Sequence, residues 1–463
     1  MPNMLFCSWA IVCRYKNKGT ELKTPACSRA YRHAGAARCR GVAALALLAG
    51  MFSSLPVRAE ALQVLHWWTS AGERRAADVL VARLAQEGIE WRDAGIAGGA
   101  GVGAGKVLKS RVLAGNSPEV MQLIGYTLGE WSDLGLLLQL DSVAASNHWR
   151  ATMYPTVWRL LQNRGHTMGV PAGIHRINTL FYNRKIFQRL GLAVPRSWND
   201  FERVAGKLRQ AGITPLAQSS AAWQVATLFE TLVLAESGPA YYRALFVEKK
   251  AEAYADPRLR HALQRLRSLK QWMGTPLREL GWPEMARQVG DGEAAMYIMG
   301  DWAKGELNAW GRTTDEVFGC AAAPDTGDYH LYSIDTLAMF ASDYTHQGAQ
   351  EKLAQVVASL PVQLEYSQVK GSIPALRRAD LSRLDSCARA SARAFARGAA
   401  FQAPSLVHRM ATDETSKDAI IAEVHRYFLD ETISAAEAQR RIGMMLQALN
   451  KKGRDDVTQN PDR

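Results

Sequence analysis

Two adjacent tryptophans, Trp67 and Trp68, directly follow an apolar segment that alternates as a β-strand does. An indole ring offers a flat apolar face and one N–H donor, and the polarised C–H groups of a sugar ring pack well on such a face. Because neighbouring side chains of a strand point to opposite sides, one tryptophan can be buried while the other faces a cleft. The alternative is that both belong to a hydrophobic core.

Acidic and aromatic side chains near other element ends are further candidates. Glu73 stands three residues after Ser70, which is the spacing of a capping box, so a structural role explains Glu73 as readily as a ligand contact does. The tripeptide Gly300-Asp301-Trp302 follows an apolar strand where a helix begins, so Trp302 is expected at the sheet edge. The alternative is that Trp302 packs at the helix start and Asp301 caps the helix.

The motifs of common catalytic sites are absent from the sequence. It has no Gly-x-Ser-x-Gly, no His-Glu-x-x-His and no Ser-x-x-Lys with its partner motifs. The glycine-rich residues 99–104 fit only a relaxed dinucleotide fingerprint, and no acidic residue is clearly placed to hold a ribose, so a mobile linker is expected there. Paired carboxylates of a glycosidase do not show in local spacing, and that chemistry stays open. Binding without catalysis, cofactor or metal is the simpler hypothesis.

The elements that would position these residues alternate between strand and helix. After a first strand, a capped helix up to Gly88 and a second strand, residues 98–105 are expected to form a loop before another helix and a third strand. This β-α-β-α-β order predicts a parallel sheet covered by helices, with ligands beyond the carboxyl ends of the strands. The strands expected are Ala61–His66, Ile89–Ile96, Pro118–Ile124, Asn178–Tyr182, Ala294–Met299 and Ser333–Ala341.

The composition is that of an ordinary globular protein. The chain has 463 residues, 48% hydrophobic and 22% charged, enough for two or three domains. Its net charge of +12 is concentrated in residues 1–59, which hold nine basic residues and one acidic residue and leave 47 basic against 43 acidic residues elsewhere. Nucleic-acid binding is not expected, because no basic cluster follows residue 60. A polytopic membrane protein is excluded, because no apolar run reaches the roughly 18 residues of a bilayer span.

Residues 1–59 are typical of an export leader. Basic residues precede a short apolar stretch over residues 41–52, and Val57-Arg58-Ala59 presents small residues at the two positions that a signal peptidase reads. The mature chain is therefore expected to begin at Glu60 or Ala61.

Two cysteines, Cys320 and Cys387, remain after removal of this leader. An even pair in an exported protein indicates a disulfide, and the alternative is two unrelated buried thiols. A zinc site is not expected, because neither cysteine has a histidine or another cysteine nearby at ligand spacing.

Several segments together resemble a known family: Leu65–Thr69, Val170-Pro171 leading to Leu180–Asn183, and Val289–Met296 through Gly300–Trp302. Over about residues 60–448 the chain is similar to the periplasmic solute-binding proteins of ABC importers. Within them it resembles the carbohydrate branch that includes the maltose-binding protein, and most of all the glucose/mannose-binding proteins of Gram-negative bacteria. The resemblance implies a two-lobed α/β periplasmic binding protein fold (type II, maltose-binding-protein-like) with three crossings. It also implies a periplasmic monomer that is not an enzyme, closes on a carbohydrate and delivers it to permease subunits at the inner membrane.

The resemblance also implies which residues contact the sugar. They are Trp67, Trp68, Glu73, Trp223, Asp335, Lys370 and His408. Asp301 and Trp302 of the strand-to-helix turn complete the predicted ligand-binding set on the local argument given above. The residues alone leave Lys370 open as an exposed loop cation and Asp335 as a strand-end cap. One position departs from the pattern, because Ile124 stands where glucose-binding relatives carry a lysine. The loss of one charge-assisted donor is expected to weaken binding or change the preferred sugar.

The expected organisation is a leader (1–59), a first lobe (60–174 and 334–366), a second lobe (175–333 and 367–449) and a disordered tail (450–463). Two other functions stay open. The first is a secreted glycoside hydrolase or lyase. The second is a binding protein for a non-sugar solute such as a glycerol phosphate, which Lys370 and His408 would suit. A polyamine would need more acidic residues than the candidate set offers.

Overall fold

The computed structural model describes residues 60–98, 101–341 and 344–459. The leader predicted over residues 1–59 and its cleavage site lie outside the described residues. The strands in chain order are β1 (Glu60–His66), β2 (Ile89–Gly95), β3 (Val120–Leu123), β4 (Gln162–Asn163), β5 (His166–Thr167), β6 (Val170–Arg176), β7 (Thr179–Asn183), β8 (Thr214–Ala217), β9 (Ala294–Met299), β10 (Phe318–Ala322), β11 (His330–Met339) and β12 (Gln402–Pro404).

The helices cover the faces of two sheets. In chain order they are α1 (Ala71–Gln86), α2 (Val102–Leu113), α3 (Tyr126–Asp133), α4 (Asp141–Ser146), α5 (Trp149–Thr152), α6 (Pro155–Leu160), α7 (Arg184–Arg189), α8 (Trp198–Gln210), α9 (Ala222–Phe246), α10 (Ala251–Ala255), α11 (Pro257–Ser268), α12 (Trp282–Asp291), α13 (Trp302–Ala309), α14 (Gln347–Val357), α15 (Leu360–Lys370), α16 (Ser386–Ala396), α17 (Glu414–Leu429) and α18 (Ala435–Gln459). Short 3₁₀ turns lie at Leu269–Trp272, Tyr344–His346, Leu381–Arg383 and Ala399–Phe401.

The first lobe is built on a six-stranded sheet. Its order is β12-β11-β3-β1-β2, and β6 also pairs with β11. β1 runs parallel to β2 and β3, as the sequence predicts, whereas β11 runs antiparallel to β3 and β6. Helix α1 packs on this sheet through Ala76, Leu80 and Leu84, which recur at helical spacing and are buried in the first core.

The second lobe is built on a four-stranded sheet with the order β10-β7-β9-β8. Every residue of β9 is buried, as its continuous apolar sequence predicts, because helices cover this central strand. Helix α8 begins with a capping box, in which Ser197 and Asp200 exchange hydrogen bonds with each other's backbone N–H.

The chain passes between the two lobes three times. The first crossing is the short link 177–178 between β6 and β7, and the second is 323–329 between β10 and β11. The third follows α16, where the buried residues change from the first core at Phe395 to the second core at Ala403. The disulfide between Cys320 of β10 and Cys387 of α16 lies beside the lobe junction, with a Cα–Cα distance of 5.5 Å.

The lobe boundary after residue 366 differs from the expected one. Ile373 pairs with Ile174 of β6, and Ala388, Ala392 and Phe395 lie in the first core. Residues 367–396 thus pack with the first lobe rather than the second. The apolar spacing of α16 indicates that one face is buried, but it carries no information on which of two cores buries it.

One expectation about local structure is wrong. Helix α2 begins at Val102, so the second half of the stretch 98–105 expected as a loop is helical. Intrinsic helix propensity is a weak prior that tertiary packing overrides, here through the burial of Ala104 and Leu108. Helix α18 continues to Gln459, within the tail expected to be disordered from residue 450.

In the described part of the chain, no helix combines the length and apolar character that a membrane span needs.

Candidate functional site

A cavity of about 290 Å³ lies between the two lobes. β1, β3 and β6 run in the same direction, so their carboxyl ends meet at one edge of the first sheet. Trp67, Ile124 and His175 lie at these three strand ends and line the cavity. This is the position at which open α/β sheets bind ligands.

Four half-buried tryptophans line the cavity: Trp67, Trp223, Trp282 and Trp302. Trp67 follows β1 in the first lobe, and the other three lie in the first turns of α9, α12 and α13 around the second sheet. Gly101 packs against Trp67, and a Cβ at Gly101 would lie 2.7 Å from the indole ring. The glycine, whose φ is +71°, therefore lets the backbone support this cavity wall.

Trp68 does not line the cavity, contrary to the contact expected for it. Its side chain is buried in the first core with 1% exposure, and its Nε1–H donates to Asp335 Oδ2 at 3.2 Å. The alternation of the strand therefore continues past β1, with Trp67 facing the cavity and Trp68 facing the core. The role that this geometry gives Trp68 is to orient Asp335.

Asp335 is a buried carboxylate on β11 that lines the cavity. The register of β11 against β6 shifts between Asp335 and Thr336, and such bulges re-aim side chains. Burial alone would raise the pKa of Asp335, but His175, whose Nε2 lies 3.4 Å from Oδ2, and Lys370 and Trp68 lower it to about 2. Asp335 is therefore ionised at neutral pH.

Asp301 does not line this cavity either, and its side chain does not cap α13. Its Oδ1 accepts from His175 Nδ1 at 2.5 Å, and its Oδ2 accepts the backbone N–H of Arg176 at 2.9 Å. Burial would lower the pKa of His175, yet the carboxylates of Asp301 and Asp335 raise it to about 9. Asp301 thus stabilises the protonated form of His175, which lies next to the cavity-lining carboxylate of Asp335.

Lys370 and Glu73 form a buried ion pair at the cavity wall. Lys370 Nζ lies 3.1 Å from Glu73 Oε1, with side-chain exposures of 3% and 12%. Glu73 Oε2 accepts the backbone N–H groups of Thr69 and Ser70, so the predicted capping box is also present. The structural and the cavity-lining interpretations of Glu73 are therefore compatible, and Lys370 is not an exposed loop cation.

His408 lies between two of the indoles. Its ring centroid is 5.1 Å from that of Trp302 and 6.4 Å from that of Trp223. Burial lowers the pKa of His408 to about 3, so this imidazole is neutral at physiological pH. The neutral ring can accept or donate a hydrogen bond but adds no charge to the cavity.

A sequence profile for bacterial extracellular solute-binding proteins matches residues 68–359. The chain belongs to this family. A probable sugar-binding periplasmic protein of Brucella melitensis is 31% identical to this solute-binding protein over 413 residues, which cover 88% of this chain and 97% of the relative. A protein of the same description from Rhizobium meliloti is 31% identical over 408 residues, covering 87% and 98%.

Solved structures show which fold this solute-binding protein has. The bacterial solute receptor AcbH, described as preferring β-D-galactopyranose, superposes with a TM-score of 0.73 at 16% identity, covering 84% of this chain and 99% of the receptor. Maltose-bound MalE3 of T. maritima superposes with a TM-score of 0.71 at 17% identity, covering 84% and 100%. The solute-binding protein therefore has the two-lobed, maltose-binding-protein-like fold.

The cavity residues of this solute-binding protein that sequence reasoning missed include His175, Trp282 and Ser333. His175 is an isolated histidine inside a buried strand, and Trp282 precedes a proline in a segment without any recognisable motif. Only the pairing of β6 with β11 brings His175 opposite Ser333 and beside Asp335. Among the described residues, no group of three histidine, cysteine or acidic side chains could hold a metal ion.

Proposed function

We propose that this protein is the substrate-binding component of an ABC sugar importer and binds a mono- or small oligosaccharide in the cavity between its lobes. The observation that carries the proposal is the combination of four half-buried indoles with one ionised, buried carboxylate, Asp335, in a single cavity. Indole faces suit the apolar faces of a sugar ring, and a carboxylate is a strong acceptor for sugar hydroxyls. The cavity volume is near the lower end of the roughly 300–1,000 Å³ of small-ligand pockets, which favours a small sugar.

The relatives support the same ligand class. Those from Brucella and Rhizobium are described as sugar-binding, and the receptors that share the fold include one for galactopyranose and one bound to maltose. Ile124 is buried at the cavity wall, so an apolar side chain stands where the resemblance implies a lysine. Glucose is therefore not the preferred candidate, and galactose belongs in any ligand panel.

Ligand binding would act on the angle between the lobes. Trp67 and Asp335 come from the first lobe, whereas Trp223 and Trp302 come from the second. A sugar can contact both sets only when the lobes are closed, so binding shifts the population toward the closed form. The closed, loaded protein would then dock as a monomer on permease subunits through surfaces of both lobes, and no reaction of the sugar is involved.

The charge balance of the cavity argues against a phosphate ester. Lys370 is already paired with Glu73, and His408 is neutral because burial lowers its pKa to about 3. The protonated His175 lies between Asp301 and Asp335, so it offers no net positive charge. Anion binding would need an unpaired cation facing the cavity.

The two carboxylates of the cavity are also poor candidates for glycoside hydrolysis. Such an enzyme needs one carboxylic acid with a raised pKa as proton donor. The pKa of Asp335 is lowered to about 2, and Glu73 accepts hydrogen bonds from Lys370 and two backbone N–H groups. Binding without bond cleavage is the better account.

A periplasmic location fits both the leader predicted from the sequence and the disulfide between Cys320 and Cys387, since disulfides persist in oxidising compartments. The test begins with native mass spectrometry of the chain from Glu60 onward, exported behind a signal peptide of the expression host and purified from its periplasm, to identify any bound sugar. Calorimetry with D-galactose, D-glucose, maltose, glycerol 3-phosphate and spermidine follows. Saturable binding of a sugar alone is expected. Binding of glycerol 3-phosphate alone, or release of new products from an oligosaccharide, would contradict the proposal.

A further inference from the structure

A chain of buried hydrogen bonds runs from the cavity into the second lobe. His408 lines the cavity, and its Nδ1 lies 2.9 Å from the Ser405 hydroxyl. The same hydroxyl lies 2.8 Å from Oε1 of Glu230, a residue of α9 with 0% exposure. Glu230 itself does not line the cavity, so its influence on a ligand would pass through Ser405 and His408.

The second oxygen of Glu230 has its own donors. Oε2 accepts the Tyr242 hydroxyl at 2.7 Å and the backbone N–H of Leu406 at 2.6 Å. Oε1 is thus the oxygen left for Ser405. Because an ionised carboxylate can only accept, the single hydroxyl proton of Ser405 must point to Oε1 when Glu230 is ionised.

This arrangement decides which nitrogen of His408 carries the proton. With its own proton directed to Glu230, Ser405 Oγ accepts both the backbone N–H of His408, at 3.2 Å, and Nδ1. Nδ1 must therefore carry the ring proton. The low pKa of His408 leaves the ring only one proton, so Nε2 is bare. Among the described residues, no group hydrogen-bonds Nε2.

We propose that Glu230 is a positioning residue that acts through Ser405 to hold His408 with an unprotonated Nε2, which accepts a hydrogen bond from a ligand hydroxyl. The identity of the ligand rests on the proposed function, whereas the position of the proton rests on the hydrogen-bond chain alone. A ligand group that can only accept is disfavoured at this point of the cavity, because it would meet the lone pair of Nε2.

The chain of hydrogen bonds also makes the preference for a donating ligand group at His408 Nε2 depend on pH. Burial raises the pKa of Glu230 to about 7, although hydrogen bonds from the side chains of Tyr242 and Ser405 and from the backbone N–H groups of Leu406 and Val407 lower it. Protonated Glu230 donates from Oε1 to Ser405, Ser405 then donates to Nδ1, and Nε2 carries the ring proton. In this change one proton is taken up at Nε2, the Nδ1 proton passes to Ser405, and the Ser405 proton passes to Glu230. The other charged or titratable groups facing His408 are Asp335, His175, Lys417 and Arg409.

The test reads the protonation of His408 by ¹⁵N NMR in the ligand-free chain from Glu60 onward, with the His408 signals assigned by their loss in His408→Gln. We expect a bare Nε2 at pH 8.5 and an Nε2–H at pH 5.5. In Glu230→Gln the amide oxygen should take the place of Oε2, and the amide N–H should donate to Ser405. This variant should therefore show Nε2–H at both pH values.

Two further variants keep the test interpretable. Ser405→Ala interrupts the chain and should abolish the change near pH 7 even if Glu230→Gln folds poorly. Glu423→Gln removes another largely buried carboxylate, with 7% exposure, that is bonded to Arg426 rather than to this chain, and it should behave as wild type. An Nε2–H in the wild type at pH 8.5, or a bare Nε2 in folded Glu230→Gln, would overturn the assignment.

A ligand experiment then tests the consequence for specificity. A sugar hydroxyl can either donate or accept a hydrogen bond, so the affinity for the parent sugar should differ little between the wild type and Glu230→Gln. A fluorine in place of that hydroxyl can only accept. With D-galactose, D-glucose and their monodeoxyfluoro analogues, one analogue should bind about tenfold or more weakly than its parent to the wild type at pH 8.5. That penalty should shrink in Glu230→Gln, and an equal penalty in both proteins would refute the specificity role. If no sugar binds although His408 has the expected proton position, the proposed function fails and the assignment stands.

Discussion

Replacing Asp335 by asparagine removes one charged acceptor from the cavity and one of the two carboxylates that lie beside His175. Asp335 Oδ2 is engaged by Trp68 Nε1–H and lies 3.4 Å from His175 Nε2, and no described group hydrogen-bonds Oδ1. In Asp335→Asn the amide oxygen can keep the bond from Trp68, while the amide nitrogen replaces Oδ1 and presents donors to the ligand. The variant therefore keeps the shape of the wall and removes one charged acceptor.

The expected loss follows from the strength of that bond. A hydrogen bond to a charged group contributes about 1.5–3 kcal/mol, which corresponds to an increase in Kd of roughly 10- to 150-fold. The assay is calorimetric titration at pH 7.5 with the sugar that the wild type binds. Asp133→Asn is the matched control, since it removes one carboxylate from an exposed surface pair with Arg164 outside the cavity and the lobe crossings, and its Kd should equal that of the wild type. A Kd for Asp335→Asn within twofold of the wild-type value would show that Asp335 does not contact the ligand.

Three further outcomes are expected. Trp67→Ala removes a half-buried cavity wall and should raise the Kd for the sugar at least about threefold in the same titration; an unchanged Kd would exclude a stacking role. Because the pKa of His175 is raised to about 9, its stabilising contribution is complete below about pH 6.5 and is lost as the pH rises through 9. The free energy of unfolding in urea should therefore fall by up to about 3 kcal/mol between pH 6.5 and 9.5, and a fall of equal size in Asp301→Asn would contradict this cause. Replacing both Cys320 and Cys387 by serine removes a cross-link that spans 67 residues and should lower the free energy of unfolding by about 4 kcal/mol. A reductant should have the same effect on the wild type and no effect on the variant. An equal effect of the reductant on both proteins would show that the disulfide is not the cause.

Local signals in the sequence predicted the elements and part of the site. Alternation around Trp67 and Trp68 allowed one residue to face a cleft and the other the core, and the structure shows which is which. The capping box at Ser70 and Glu73 was visible because its two members are three residues apart and satisfy each other's backbone. Both inferences needed only neighbours in the chain.

Contacts between distant segments could not be predicted in the same way. The role of Asp301 depends on β6, which brings His175 within 2.5 Å of its carboxylate although 126 residues separate them. The Glu230–Ser405–His408 chain likewise joins α9 to the segment after β12. The resemblance to a known family located Asp335, Lys370 and His408, but it did not reveal the charge states that their buried partners impose.

The central claim is that a sugar binds between the two lobes against these indoles and Asp335. The most direct measurement is a crystal structure of the chain from Glu60 onward with the sugar selected by calorimetry. We expect the sugar ring to lie in the interlobe cavity, stacked on Trp67 or Trp302, with a hydroxyl donating to Asp335 Oδ1. A sugar located elsewhere on the protein, or one in the cavity that contacts none of these three side chains, would contradict the account.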